Sequence, residues 1–178
     1  MKYVKYSLGI LAVLVIGFFL LGLLKPEITY DCEIMVDKPL TEAWGYSQDP
    51  ERISEWLIGV EKMELVSGQH ATVGAVYDVY FNNEGQQMII RETITEIVPN
   101  ESVSMVFTSD FMDMDYTLAM ESIDGKTKIN TYTTATGNSM ISKSIMALMS
   151  GTFVTQEETN LANLKKAIEN NTKNYSLN

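Results

Sequence analysis

The sequence predicts an α+β protein with an apolar N-terminal helix, a curved antiparallel sheet of about seven strands, and a long C-terminal helix packed on that sheet. Three observations carry this prediction. The first is an uncharged, apolar run from Tyr6 to Leu24. The second is a series of segments between residues 27 and 136 in which apolar and polar residues alternate. The third is a stripe of apolar residues at helical spacing between 141 and 168.

The apolar run is long enough to cross a membrane. As a helix its 19 residues would extend about 28 Å, close to the thickness of a bilayer's hydrocarbon core. A cleaved signal peptide would have a shorter run and a cleavage site of small residues, which Lys25-Pro26-Glu27 does not offer. A lipoprotein anchor would need small residues before its cysteine, but Cys32 follows Ile28-Thr29-Tyr30-Asp31. We therefore expect one uncleaved, single-pass anchor over residues 1–26.

Charge predicts an orientation and argues against some partners. Lys2, Lys5 and the α-amino group precede the run and only Lys25 follows it directly, so the positive-inside tendency places the remaining chain on the extracytoplasmic side. All 23 acidic residues follow Pro26, together with ten of the 13 basic residues, which gives that part a net charge of −13. Such a surface repels nucleic acids and anionic headgroups, so nucleic-acid binding is not expected.

One cysteine and one histidine limit the available chemistry. Cys32 lies in an alternating apolar segment, which favours a small buried residue over a nucleophile. His70 has no neighbouring ligands in the sequence, so neither a metal nor a cofactor is expected. The spacing shows no Ser-His-Asp, Cys-His or paired-carboxylate arrangement, although carboxylates could still meet in space. No catalytic residue is predicted, and the question of enzymatic activity stays open.

The first elements after the anchor are a strand and two short helices. Alternation over Glu27–Val36 predicts a half-buried strand. Pro39 suits the first turn of a helix that runs through Trp44. Asp49 and Pro50 are typical of the cap and first position of a second helix, which ends near Trp56.

Six further strands follow, separated by glycine, proline and asparagine. Met112–Glu121 has the clearest alternation, with Asp113 and Asp115 on the face opposite its methionines. Hairpin turns are predicted at Asn83-Glu84-Gly85 and at Asp124-Gly125. The predicted strands are Val60–Ser67, Gly74–Asn82, Gln87–Val98, Ser102–Ser109, Met112–Glu121 and Lys126–Thr136.

The C-terminal region is predicted to be an amphipathic helix. Gly137-Asn138-Ser139 is typical of a helix start, and apolar residues recur at three- and four-residue spacing up to Ile168. Gly151 could kink or break this helix. Residues 173–178 form a polar tail, so the predicted domain spans residues 27–172. One helix covers only part of a curved sheet, and the uncovered part of the inner face would form a cavity.

Several local motifs occur in an order that resembles one superfamily. These motifs are Val36-Asp37-Lys38-Pro39-Leu40-Thr41-Glu42-Ala43-Trp44, Asp49-Pro50-Glu51 through Trp56, Thr95-Glu96-Ile97-Val98-Pro99-Asn100, Asp124-Gly125-Lys126-Thr127-Lys128-Ile129, Gly137-Asn138 and Leu161-Ala162-Asn163-Leu164-Lys165-Lys166-Ala167-Ile168-Glu169. They are similar to the strand ends, turns and helices of the SRPBCC superfamily, also called START-like or helix-grip. Within it, the polyketide cyclase/dehydrase-like branch is most similar. The resemblance extends from about Thr29 to Asn171.

This resemblance implies binding of a hydrophobic or lipid-like small molecule in the internal cavity between sheet and helix. It brings no shared catalytic signature, so our first hypothesis is a binding domain without catalysis. Some members are cyclases or other enzymes and some are co-chaperones. A polyketide cyclase-like or other small-molecule enzyme and a protein-interaction module therefore remain alternatives, and no protein partner is predicted. The N-terminal anchor is a departure from many members and argues against a purely soluble carrier.

The expected pocket follows from strand alternation. Ten methionines besides Met1 favour an adaptable apolar pocket. Arg91 and Glu92 are adjacent in mid-strand, so one of them should face inward, where it could hold the polar end of a ligand or, with Tyr132, polarise a substrate. The alternative for each position is an ordinary core residue. The predicted pocket-lining residues are Trp56, Met88, Ile90, Arg91, Glu92, Met105, Phe107, Met114, Tyr116, Met120, Tyr132 and Phe153.

Overall fold

The computed structural model describes residues 2–83 and 85–175, and it confirms the predicted α+β architecture. Glu84 of the first predicted hairpin turn, Met1, and residues 176–178 of the predicted tail lie outside the described residues. The helices are α1 (Lys2–Leu24), α2 (Leu40–Ser47), α3 (Ile53–Trp56), which follows a 3-10 turn at Pro50–Arg52, and α4 (Met140–Asn170). The strands are β1 (Glu27–Val36), β2 (Val60–Ser67), β3 (Val76–Asn83), β4 (Gln86–Val98), β5 (Ser102–Thr108), β6 (Met112–Ile123) and β7 (Lys126–Gly137).

Glycine positions account for the small differences between predicted and observed strand limits. β3 begins at Val76 rather than Gly74, because Gly74 has a φ of 86° and leaves the extended conformation. β6 and β7 continue to the turn at Asp124 and Gly125, whose φ angles of 50° and 80° are those of a two-residue hairpin turn. The predicted Asp49 cap is confirmed, since its side chain accepts a hydrogen bond from the Glu51 amide.

Helix α4 is continuous through Gly151, so the glycine neither breaks nor ends it. Its first turn is fixed by Ser139, whose hydroxyl accepts a hydrogen bond from the Ser142 amide at 3.0 Å. The Ser142 hydroxyl accepts in return from the Ser139 amide at 2.8 Å, which completes a reciprocal cap. The cap sets the point at which the chain leaves β7 and turns back across the sheet.

The sheet is fully antiparallel and curved, in the order β1-β7-β6-β5-β4-β3-β2. The backbone of α4 runs close to β1 and, over a shorter stretch, close to β7 and to the two short helices. The core lies between these elements, where Val36, Ile129 and Leu164 are fully buried. The strands at the far side of the sheet are therefore less closely covered by α4.

Helix α1 projects from the sheet-and-helix body with most of its surface exposed. Residues Tyr3–Leu24 are long and apolar enough to cross a membrane, with a mean hydropathy of 2.7 and only 6% of the most apolar window buried. A helix of this kind is also found in signal sequences. Helix α1 packs against α4, and Gly22 is buried there against Ser144.

The segment after α4 is more ordered than its polar composition indicates. Tyr175 packs on Gly45 and donates a hydrogen bond from its hydroxyl to Asp49 at 2.8 Å. Lys173 forms an ion pair with the same carboxylate at 3.0 Å. The aromatic ring gives this part of the tail an apolar surface to bury, which the count of polar residues does not reveal.

Candidate functional site

The inner face of the sheet is defined by the strand register. Glu92 of β4 lies opposite Phe107 of β5, which lies opposite Met114 of β6. Side chains directly opposite each other in an antiparallel pair share a face, and every second residue along each strand joins them. The inner face therefore carries Glu92 and Phe107 near its middle and faces the side on which α4 packs.

Apolar side chains of β5 and β6 form a partly covered region of this face. Met105, Phe107 and Met114 point to the same side as the core but remain half-buried. The Phe107 ring meets the Tyr116 ring edge to face, with centroids 6.2 Å apart. Because α4 runs nearer to β1 and β7 than to β5, these side chains keep apolar surface that a ligand could bury.

Of the two adjacent charged residues Arg91 and Glu92, one of which was expected to face inward, Glu92 is the one that does. Its side chain is only 4% exposed, and burial raises the pKa of its carboxyl to about 7. Burial is the only cause of this pKa shift, and within the described residues no basic group offsets it. A carboxyl in this setting exchanges its proton near neutral pH and can donate or accept a hydrogen bond.

A second polar group lies where α4 crosses β6. The Tyr116 hydroxyl donates a hydrogen bond to Glu157 Oε1 at 3.0 Å, and Glu157 is buried. Burial and the neighbouring Glu157 carboxylate raise the pKa of Tyr116 well above its ordinary value. Burial also raises the pKa of Tyr30, on β1, to about 12 and raises the pKa of the Cys32 thiol. The tyrosines therefore stay protonated as donors, and Cys32 is an unreactive thiol.

Three buried polar atoms near this face have no hydrogen-bond partner among the described residues. They are the hydroxyls of Thr131 and Thr133 on β7 and the indole Nε1 of Trp56 on α3. A buried donor without a partner costs about 1–3 kcal/mol. Each of these atoms could donate to a polar atom of a bound molecule.

The structure places most of the predicted pocket residues on the inner face, but not at equal depth. Ile90 and Met120 are buried, and Met88 lies near the open end of β4 with about half of its surface exposed. Trp56 and Phe153 pack from α3 and α4 against the two core clusters. Whether any of these residues contacts a ligand remains a prediction.

Two predicted residues point away from this face, and their assignment to the pocket is corrected. Arg91 lies on the outer face, where its guanidinium makes two hydrogen bonds to Asp78 at 3.0 and 3.2 Å. Tyr132 is also on the outer face and is 54% exposed. The reason is the two-residue period of a strand: Arg91 neighbours the inward Glu92, and Tyr132 lies between the inward Thr131 and Thr133.

Sequence reasoning did not select Tyr30, Glu157 or Thr131 as site residues. A signal was present for each, because Tyr30 occupies an inward position of the alternating strand β1. Glu157 stands within the apolar stripe of α4, where a carboxylate is out of pattern. Thr131 lies on the buried side of a threonine-rich strand, and that composition gave no separate reason to choose it.

Two surface clefts lie outside the inner face. One, of about 460 Å³, is lined mostly by polar residues of the 3-10 turn, α3, the end of α4 and the segment after it, including Arg52 and Asn163. The other, of about 360 Å³, lies on the outer face beside Asp78 and Arg91. Neither is lined by inward-facing strand residues. In the described part of the chain no cluster of His, Cys, Asp and Glu is arranged to hold a metal ion.

Solved structures with the same architecture include several named proteins. The aromatase/cyclase Zhui from Streptomyces sp. R1128 aligns with a TM-score of 0.68 at 11% identity, covering 83% of this chain and 96% of its own. Protein CV1439 from Chromobacterium violaceum gives 0.66 at 16% identity, covering 80% and 98%. Ara h 8.0201 gives 0.65 at 14% identity, covering 82% and 99%. At these identities the likeness shows a shared helix-grip fold.

Family membership rests on a sequence match rather than on these structural likenesses. No curated protein matches the chain by sequence. The family described as polyketide cyclase/dehydrase and lipid transport matches residues 27–169. This range covers the whole sheet and nearly all of α4, including every side chain of the inner face described above. The chain therefore belongs to the polyketide cyclase/dehydrase and lipid transport family.

Proposed function

We propose that this protein binds a hydrophobic or lipid-like small molecule between the inner face of its sheet and α4, without catalysis, while α1 anchors it in a membrane. The observation that carries the proposal is the half-buried state of Met105, Phe107 and Met114 on a face that otherwise forms the core. Apolar surface of this kind is stabilised by about 25 cal/mol for each Å² removed from water, and an apolar ligand would supply that burial.

The same region supports recognition of one polar end of the ligand. Glu92 is a buried carboxyl that is close to half-protonated at neutral pH, and Thr131 has a hydroxyl without a partner among the described residues. A buried polar group gains most from a partner that reaches it. A carboxylic acid or alcohol headgroup that reaches Glu92 would satisfy it while the chain of the ligand lies along the methionines. Thr131 is three strands away from Glu92 and would be satisfied by a different atom of the ligand or by water.

Neither of the two clefts described above lies between the inner face and α4, so in this proposal the internal cavity expected from the sequence opens as the ligand enters. Methionine side chains have three rotatable bonds and adjust to irregular apolar shapes. Met105 and Met114, on neighbouring strands, are therefore suited to open a space for a ligand and to close it afterwards. The two clefts described above are not part of this proposed site.

Anchoring would hold the domain next to a supply of apolar molecules. In this proposal residues 1–26 span the membrane, residues 27–172 form the binding domain, and residues 173–178 are its polar tail. The family match beginning at residue 27 supports the boundary. Lys2 and Lys5 before the span, against Lys25 after it, support an extracytoplasmic domain. A membrane span raises the local concentration of domain and lipid together.

A photoactivatable fatty acid tests the proposed site in the full chain. The protein is reconstituted in lipid nanodiscs, a fatty acid with a diazirine on its acyl chain is added, and the labelled peptides are mapped by mass spectrometry after illumination. We expect labelling of β5 and β6 at Met105, Phe107 and Met114. Labelling of α1 is expected as well and serves as the internal control for contact with the bilayer.

A matched pair of tryptophan variants makes the result specific. Met105→Trp fills part of the inner face and should reduce labelling of β5 and β6 at least tenfold. Ile89→Trp places the same ring on the outer face, where Ile89 is 52% exposed, and should leave labelling unchanged. Circular dichroism checks that both variants fold. Labelling confined to α1 in the wild type, or equal labelling in the two variants, contradicts the proposal.

An enzyme of the cyclase kind is the second candidate, and Glu92 is the observation that favours it. A carboxyl with a pKa of about 7 suits a general acid or base. The nearest second hydroxyl is that of Tyr77, which is buried directly opposite Glu92 on β3. The Tyr116–Glu157 pair is farther away, since the register places Tyr116 about 12 Å from Glu92 between α-carbons. Turnover of polyketide thioesters by the wild type, lost in Glu92→Gln, would favour this candidate over simple binding.

A further inference from the structure

The first part of α4, Met140–Gly151, buries Met146 in the core but also buries two serines and exposes several large apolar side chains. Ser142 and Ser144 are buried, with 2% and 0% of their surface exposed. Ile141, Leu148 and Met149 are exposed, Leu148 by 61%. A helix that faces water on one side normally buries its apolar side chains and exposes its serines. This partial reversal indicates that something apolar covers this part of α4.

The position of α1 indicates what that covering is. A Cβ built on Gly22 would lie 2.5 Å from Ser144 Oγ and 2.7 Å from the Ser144 amide nitrogen, so the two helices are in direct contact there. Gly22 lies two residues before the end of the apolar span at Leu24. At about 1.5 Å per residue, Ser144 is therefore level with a point about 3 Å inside the end of the span.

The charge of this segment fits the same covering. From residue 125 to residue 156 the sequence contains no acidic residue, although 23 acids occur in the rest of the chain. Lys143 is the one charged residue of α4 before Glu157. An acid-free segment that contains Lys126, Lys128 and Lys143 lies against anionic headgroups without the repulsion that the remaining, strongly acidic surface would cause.

We infer that the first part of α4, residues Met140–Gly151, is a second membrane contact whose exposed apolar side chains enter the bilayer beside α1. This inference rests on the proposed anchoring by α1. Removing the exposed apolar surface of Ile141, Leu148 and Met149 from water is favourable, so together these side chains hold the helix at an interface. The occupant of this surface is therefore the acyl-chain boundary of the membrane.

The contact also sets where the proposed binding region lies relative to the lipid. Met146, on the same part of α4, packs with Ile28 and Ala135, and Met112, Met114 and Phe153 join this cluster. The methionine end of the inner face is thus one helix away from the bilayer. An apolar molecule could pass between membrane and inner face with little exposure to water, which links the two proposals.

Fluorescent labels at single cysteines test the contact in the full chain. In a Cys32→Ala background, an NBD label is attached at Leu148→Cys in the patch, at Glu158→Cys on exposed α4 beyond it, and at Leu14→Cys within α1. The protein is reconstituted in phosphatidylcholine vesicles in which about a quarter of the lipid is anionic. Quenching by acyl-chain nitroxide lipids and by aqueous iodide is then compared.

We expect the labels at Leu148→Cys and Leu14→Cys to be quenched by nitroxide lipid and protected from iodide, and the label at Glu158→Cys to behave in the opposite way. Iodide quenching at Leu148→Cys equal to that at Glu158→Cys, with Leu14→Cys still lipid-quenched, overturns the second contact and leaves the anchor standing. Loss of lipid quenching at Leu14→Cys overturns the anchor and this inference together.

A protein covering in place of lipid gives a third, separate result. If a second copy of the chain or another protein covered the patch, the label at Leu148→Cys would be protected from both quenchers. For a second copy, the protection would fall as the protein is diluted in excess lipid. Either pattern rejects lipid as the occupant while keeping the evidence that the patch is covered.

Discussion

At the scale of single residues, Glu92 is the group whose ionisation opposes folding. Burial raises the pKa of its carboxyl from 4.5 to about 7, so the folded chain binds this proton more tightly than the unfolded chain does. The stabilisation by the neutral form is complete below about pH 4.5 and is lost as the pH rises through about 7. A ligand that donates a hydrogen bond to the carboxylate would offset part of that loss.

Replacing Glu92 with glutamine should therefore remove a pH-dependent loss of stability. Glu92→Gln is expected to match the wild type near pH 4.5 and to be more stable near pH 8 by up to about 3 kcal/mol. Chemical denaturation of the full chain in detergent, at several pH values, measures this difference. Glu96→Gln, an exposed position on the same strand, is the control, and an equal pH profile in both variants contradicts the assignment.

The hydrogen bond between Tyr116 and Glu157 should contribute to stability in a way that an exposed tyrosine does not. Tyr116→Phe removes the donor and leaves a buried carboxylate without it, at an expected cost of about 1–3 kcal/mol. Tyr132→Phe, on the outer face, is expected to change the free energy of unfolding by less than about 0.5 kcal/mol. Equal effects in denaturant melts would mean that the inner hydrogen bond makes no net contribution.

At the scale of elements, two glycines near and within α4 should respond in opposite directions to the same substitution. Gly151→Ala is expected to raise stability by about 0.5–1 kcal/mol, because alanine is the better helix former and nothing lies within 4 Å of its Cβ. Gly137→Ala is expected to cost at least about 1 kcal/mol, since its Cβ would lie 2.5 Å from the Lys143 amide nitrogen. Thermal denaturation measures both, and a stabilising Gly137→Ala would contradict the close approach.

The elements themselves were largely predictable because their signals are local. The limits of β1 and β2 match the alternation in the sequence, and the Asp124-Gly125 turn matches its dipeptide. The continuity of α4 through Gly151 was not decidable, because a lone glycine is compatible with either a bend or a straight helix. What decides it is the packing of the residues on both sides, from Met146 to Leu161.

The candidate site was predictable only as far as strand alternation fixes a face. Alternation showed that either Arg91 or Glu92 points inward, but the choice between them depends on register with β5, which is a property of the assembled sheet. The Tyr116–Glu157 hydrogen bond joins residues 41 apart in the chain. No local pattern predicts such a contact, so the pairing of Tyr116 with Glu157 could be found only in the three-dimensional structure.

At the scale of the whole molecule, the packing of α1 against α4 joins the apolar N-terminal helix to the sheet-and-helix body. Each helix has a readable pattern of its own, but their contact includes a close approach of two small residues, Gly22 and Ser144, that neither pattern predicts. Small residues allow two helices to approach closely, in membranes as in soluble proteins. If this contact fixes the body at the bilayer surface, enlarging one side of it should release the body.

Gly22→Leu tests whether this single contact orients the molecule. A Cβ atom at Gly22 would lie 2.7 Å from the backbone nitrogen of Ser144. A backbone atom cannot move aside unless the helices separate. Double electron–electron resonance between spin labels at Leu14→Cys and Glu158→Cys should then give a longer and broader distance distribution. Gly17→Leu adds the same side chain where nothing lies within 4 Å and should leave the distribution unchanged. An unchanged distribution in Gly22→Leu would mean that the Gly22–Ser144 contact does not hold α1 against α4, and the orientation of the body would then depend on the other contacts between α1 and α4 and on the connection between α1 and β1.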